Sequence, residues 1–298
     1  MSDRQMTQVD PTALEWYLTS VAHGSTPVPV DDVPWVLSAT ASSDASIQER
    51  LAPDLLERVR DLTDVEDADV GPGPGRGHDR RMGWRYWALG QAAMGIAGPV
   101  GDDAMRLADR FVGCRPCDPI AVAMMASGAD ALLGREPTSL EALTVLRRSA
   151  PLLHRPRPEP LWCWPEQELD PLDALLPHAL MAAGDRLDEG ALIRSGLQLL
   201  DWRLERNGQS SDPAQEFALS VVACARAATL TGDNRWTQRA RALASAVSVE
   251  VSLRTSDLCA WQLAAQHLDA LCVGALRHHG ATSRPERSPA EPQLAARG

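Results

Sequence analysis

Leu161-Trp162-Cys163-Trp164-Pro165-Glu166-Gln167-Glu168-Leu169-Asp170-Pro171-Leu172-Asp173-Ala174-Leu175-Leu176-Pro177-His178-Ala179-Leu180-Met181-Ala182-Ala183-Gly184-Asp185 decides how this chain folds. An aromatic, acidic loop (Trp162, Trp164, Glu166) leads into Ala- and Leu-rich helical text, which Gly184-Asp185 interrupts. On the return segment Ile193, Leu197, Leu200 and Leu204 recur at helical spacing and share one face. The unit is one antiparallel helical hairpin with a polar loop at its mouth.

Working outward, the same plan repeats. Helical periodicity covers 84–97, 102–112, 119–133 and 139–150 upstream, and 212–230, 235–249 and 258–276 downstream. Gly101-Asp102, Gly134, Gly184-Asp185 and Gly232-Asp233 mark the turns, with Gly closing one helix in a left-handed conformation and Asp capping the next. Before residue 82 a short helix capped by Thr12 is expected over 12–21. Pro27, Pro29 and Pro34 then keep the chain extended or turning. A helix over 46–63 follows, with Ile47, Leu51, Leu55 and Val59 on one face. Gly71-Pro72-Gly73-Pro74-Gly75-Arg76-Gly77 cannot propagate helix or strand and reads as a linker. The organisation expected is therefore an N-terminal helical segment 1–64, a linker 65–81, a helical-hairpin domain 82–279 and a disordered tail 280–298. Strand signals are nearly absent, so the fold class is all-α. Hairpins in series can stack into an open superhelix or curl into a ring. The long Trp loop favours a toroid-like array forming an incomplete ring.

Composition narrows the function. A net charge of −11 argues against a nucleic-acid surface. No stretch reaches the roughly 18 apolar residues of a membrane span, and Met1-Ser2-Asp3-Arg4 does not open a signal peptide, so a cytoplasmic location is expected. Lys is absent, and nine of the thirteen aromatic residues are Trp, a side chain suited to core filling and to stacking on sugar rings. The six Cys lie mostly in apolar helical text and read as buried hydrophobes. Cys114-Arg115-Pro116-Cys117 has the spacing of half a zinc or redox site but lacks a second pair. Neither a metal nor a cofactor is expected.

Trp162, Trp164, Glu166, Leu169, Ala174, Leu176, Pro177, Ala179, Leu180, Ala183 and Gly184 carry a resemblance to a known group. Leu199-Leu200-Asp201-Trp202 and Thr231-Gly232-Asp233-Asn234-Arg235-Trp236 extend it. The chain resembles the helical (α/α) toroid domains found in or beside some bacterial glycosyltransferases, within the six-hairpin glycosidase-like superfamily. The resemblance covers about residues 84–276 and implies a toroid of helical hairpins. It also implies a carbohydrate ligand and a glycosyltransferase or other protein partner. Pro171-Leu172-Asp173 stands where the family has a Tyr-Asp-Asn step. The loop after the Leu-Asp-Trp helix is shortened to 205–212, and the family's Asn-x-Asn-Gln-Gly-Ala-Glu step has no counterpart around 255–260. A diverged, non-catalytic, carbohydrate-related member is the expectation.

The ligand-binding candidates are Trp162 and Trp164 as a stacking face, and Glu166, Asp170, Asp173 and Glu216 as hydrogen-bonding carboxylates. Were the protein a glycosidase or lyase, it would need two carboxylates flanking one bond, one of them kept protonated by an apolar setting. Glu166 beside Trp164-Pro165, with Asp173 as partner, is that candidate, although Asp173 also reads as a helix cap. His178 and His267 read as interior or rim histidines, and Asp102-Asp103 as acids at a helix start. The remaining alternative is a helical-repeat scaffold for a protein partner.

Overall fold

The computed structural model describes residues 17–21, 28, 32–68, 76–153, 170–206, 213–247, 264 and 267. Among them every regular element is a helix. Residues 17–21 are helical, within the helix expected over 12–21, and there follow in chain order α1 (Val33–Ala41), α2 (Ala45–Ala68), α3 (Arg76–Gly95), α4 (Pro99–Ala108), α5 (Pro119–Arg135), α6 (Leu140–Leu153), α7 (Leu175–Leu187), α8 (Gly190–Leu204), α9 (Pro213–Thr231) and α10 (Asn234–Val247). Short 3₁₀ turns, Asp109–Gly113 and Pro171–Ala174, follow α4 and precede α7.

Each odd helix packs on the even helix that follows it, and successive odd helices pack side by side from α1 to α9. The result is two layers whose chemistry differs. In α5 every residue from Ile120 to Leu133 is buried, as an all-round apolar helix must be. In α6 burial is confined to Ala142, Val145, Leu146, Ser149, Ala150 and Leu153, one stripe with the opposite face in water. The odd layer is thus the core, and the even layer covers it. Burying each large side chain of α5, such as Met124 or Met125, contributes about 1.5–3 kcal/mol.

Helix α3 crosses α5 closely, and glycine makes it possible. A Cβ on Gly90 would stand 2.5 Å from the carbonyl oxygen of Gly128, and one on Gly128 would stand 2.8 Å from that of Tyr86. The two backbones meet where no side chain intervenes.

Several expectations about helix ends need correction. Val33–Ala41 is a helix with Pro34 in its first turn, where the missing N–H is harmless and the fixed φ helps. Helix α3 begins at Arg76, inside the span read as linker. Trp35 of α1 packs on Trp84 and Trp87 of α3 with ring centroids 4.2 and 5.4 Å away, so the N-terminal helices share one core with the rest. Ile47, Leu51, Leu55 and Val59 are all buried, as their spacing required. Of the turn glycines, Gly232 adopts φ 67° as expected, and Asp233 caps α10 by accepting from Arg235 N at 2.9 Å. Gly101 and Gly184 instead lie inside α4 and α7, and the left-handed positions are Gly98 and Asp188. Gly184 serves a close approach: its Cβ would fall 2.7 Å from Ile193 Cγ1. The buried stripe of α8 is Leu192, Gly196, Leu199, Leu200 and Arg203. It is turned by one residue from the expected face, of which Leu200 alone is fully covered.

Candidate functional site

The N-terminal ends of α3, α5, α7 and α9 meet in a cluster of acids and arginines. Asp118 is the N-cap of α5: its Oδ1 accepts from Ile120 N at 2.9 Å and Ala121 N at 3.1 Å, and Pro119 opens the helix. Asp79, in the first turn of α3, accepts from Cys117 N at 2.8 Å and Asp118 N at 3.1 Å. Arg80 bridges the two starts, reaching Asp118 Oδ2 at 3.3 Å and Asp170 Oδ2 at 2.8 Å. Burial alone would lower the Arg80 pKa. The hydrogen bond to Asp170 and the charge of Asp118 outweigh it, so the guanidinium is held above its ordinary value.

Asp170 and Asp173 form a reciprocal capping box at the turn before α7. Asp170 Oδ1 accepts from Leu172 N at 2.9 Å, and Asp173 Oδ2 accepts from Asp170 N at 2.8 Å. Asp173 is completely buried, and α9 packs on this turn. There Glu216, in the first turn of α9, pairs with Arg203 at the end of α8 through Oε1 and Nη2 at 2.9 Å. Both side chains have no solvent exposure. Burial pulls the Arg203 guanidinium below its ordinary value, against the opposing charges of Glu216, Asp173 and Asp170.

Three of the six expected binding residues, Asp170, Asp173 and Glu216, are therefore brought to one end of the odd layer. Trp162, Trp164 and Glu166 lie outside the described residues, in the 154–169 segment that enters this end at Asp170. The carboxylates themselves depart from the expected role. Asp173, named as a possible catalytic partner, serves a helix start, and Glu216 lies inside an ion pair rather than on an accessible wall. Arg80, Arg203, Asp79 and Asp118 belong to the cluster and were not singled out from the sequence. Asp118-Pro119 is a readable cap-then-Pro signal, and Arg203 is a charge on a buried stripe.

A second polar group crosses the middle of the odd layer. Ser127 Oγ of α5 and His178 Nδ1 of α7 are 3.1 Å apart and buried. Toward the other end, Asp130 accepts from Arg186 Nε at 2.6 Å and from Arg226 at 3.4 Å, and Arg226 also reaches Asp185 at 2.8 Å. Burial first, then the Arg226 charge and His267, push the His178 pKa down to about 3, so the imidazole is neutral. The reading of His178 as an interior histidine holds. Trp35, Trp87, Trp202 and Trp236 are buried, so the Trp excess at these positions fills core. Cys114, Cys117 and Cys224 are free thiols, and the described residues hold no cluster of three metal-ligating side chains. Among the described residues no helix is long and apolar enough to cross a membrane.

No family model, curated protein or solved structure matches the chain.

Proposed function

We propose that this protein is a diverged, non-catalytic (α/α) toroid, an incomplete ring of helical hairpins that binds carbohydrate at the N-terminal ends of its odd helices. The observation that carries the reading is the convergence of Asp79, Arg80, Asp118, Asp170, Asp173 and Glu216 at one end, beneath the point where the Trp-bearing segment joins α7. The alternation of a buried odd layer and an amphipathic even layer is what a ring of hairpins requires. Trp162 and Trp164 would stack on sugar faces and Glu166 would accept hydroxyl hydrogen bonds, with a glycosyltransferase as the associated partner.

The same cluster argues against bond cleavage. A general acid needs a carboxyl free to exchange its proton with substrate. Asp118, Asp170 and Asp173 are engaged as caps, Asp79 holds two backbone N–H groups, and Glu216 neutralises Arg203. Each of these carboxylates is committed to a contact within the fold. The test is titration calorimetry against an oligosaccharide panel. Saturable binding that disappears in the Trp162→Ala, Trp164→Ala double variant supports the proposal, and unchanged affinity removes the site. Hydrolysis of any panel member that Glu166→Gln abolishes would replace it with the glycosidase reading.

A further inference from the structure

The Arg80 guanidinium of α3 ties the start of α5 to the turn that opens α7. Its Nε donates to Asp118 Oδ2 at 3.3 Å and its Nη1 to Asp170 Oδ2 at 2.8 Å. Each carboxylate keeps its other oxygen for its own helix start: Asp118 Oδ1 accepts from Ile120 N and Ala121 N, and Asp170 Oδ1 accepts from Leu172 N. The rigid fork of an arginine can serve two acceptors in this way, which the point charge of a lysine cannot do with the same direction. Asp79, the preceding residue, takes the N–H groups of Cys117 and Asp118, so α3 grips the start of α5 through two successive side chains.

Asp170 is where this tie acquires a consequence. It is the first described residue after the 154–169 segment, which carries Trp162, Trp164 and Glu166. Leu153, at the other end of that segment, is buried in the core at the close of α6. Asp170 is held by Arg80, by the Leu172 N–H, and through its own N–H, which donates to Asp173 Oδ2 at 2.8 Å. The last two contacts lie inside the turn and travel with it, whereas the Arg80 contact reaches back 90 positions to another helix. Fixing both ends of a chain segment narrows the conformations left to it. Both side chains of the Arg80–Asp170 pair keep 31% exposure, so cutting it loosens a local tie rather than the packed core.

We propose that Arg80 is a positioning residue: by clasping Asp170 to the start of α5 it fixes the exit of the 154–169 segment and so presents Trp162 and Trp164 to the ligand. The inference rests on the carbohydrate reading for the identity of that ligand; the clasp itself does not. Burial would lower the guanidinium pKa, but the Asp170 hydrogen bond and the Asp118 charge outweigh it, so the cation persists at neutral pH.

Hydrogen exchange of the full chain without sugar, followed peptide by peptide, tests the clasp. Arg80→Gln is expected to speed exchange in 154–169 about fivefold, the scale of losing one partly exposed ion pair, while peptides of α10 keep their wild-type rate. Asp170→Asn keeps the oxygen that caps Leu172 N and loses the charge, so it should act in the same way, and it carries the test if Arg80→Gln does not fold. The double variant should exchange no faster than the faster single one, because both remove the same contact. Titration calorimetry with the tightest-binding oligosaccharide should show a Kd raised about fivefold in Arg80→Gln. Unchanged exchange in 154–169 in the folded variants, equal acceleration along the whole chain, or single effects that multiply in the double variant would each overturn the proposal, as would an unchanged Kd. If the wild type binds no oligosaccharide, the carbohydrate reading fails, and the exchange rates still decide the clasp.

Discussion

Replacing Glu216 with Gln removes one charge from a pair that has no contact with solvent and leaves Arg203 nearly isostructural surroundings. Taking a guanidinium out of water is tolerated only when an opposing charge and hydrogen bonds compensate it. Breaking such a buried pair from one side costs about 3–5 kcal/mol. Asp173 and Asp170 also act on Arg203 and offset part of the loss, so the expected cost is at the low end, about 3 kcal/mol. With a urea m-value near 3 kcal/mol/M, the unfolding midpoint should fall by about 1 M. The double variant Arg203→Met, Glu216→Leu removes both charges and restores an apolar contact. It should regain part of the loss, because well-packed hydrocarbon can replace a buried pair, while the buried Asp173 loses the countercharge of Arg203. The assay is urea unfolding followed by far-ultraviolet dichroism at pH 7. A midpoint shift below about 0.3 M for Glu216→Gln, or a double variant no better than the single one, would refute the view that this end of the fold rests on paired charge.

Acid should destabilise the fold through His178. Its folded pKa, about 3, lies below the unfolded value of about 6.5, so below pH 6.5 the unfolded chain binds a proton that the fold rejects. Stability contributed by the neutral ring is complete above pH 6.5 and is lost progressively down to pH 3. On the order of 2 kcal/mol goes between pH 7 and 5. Thermal melts of wild type and His178→Gln at those two pH values check this, and an identical pH dependence in the variant would contradict it. Gly90→Ala should cost about 1–3 kcal/mol, because the new Cβ meets the Gly128 backbone rather than a movable side chain; melting temperature reads the effect. Asp118→Ala should cost about 1 kcal/mol from the lost cap, and more if Arg80 loses its bridge. A cycle with Arg80→Ala separates the two contributions.

Periodicity located the hairpins because their cores follow helical spacing, as at Ile47, Leu51, Leu55 and Val59. It misplaced turns where glycine serves contact rather than chain reversal. Within their helices Gly101 makes room for the Ile96 carbonyl and Gly184 for Ile193, a packing demand that a Gly-Asp pair does not spell out. Helix α1 was hidden by three prolines, one of which starts it. At the candidate site the helix-start acids Asp170, Asp173 and Glu216 were legible as polar residues at predicted boundaries. Their partners were not, because Arg80 reaches a residue 90 positions away and no local pattern encodes that pairing. Arg203 was missed because the buried stripe of α8 is turned by one residue from the Leu-rich face.

Hydrogen exchange with and without the tightest-binding oligosaccharide tests the central claim most directly. Added protection at the first turns of α3, α5, α7 and α9, together with residues 154–169, is the predicted result. Protection confined to the opposite end around Asp130, Asp185 and Arg226, or none with any sugar at saturating concentration, would contradict it.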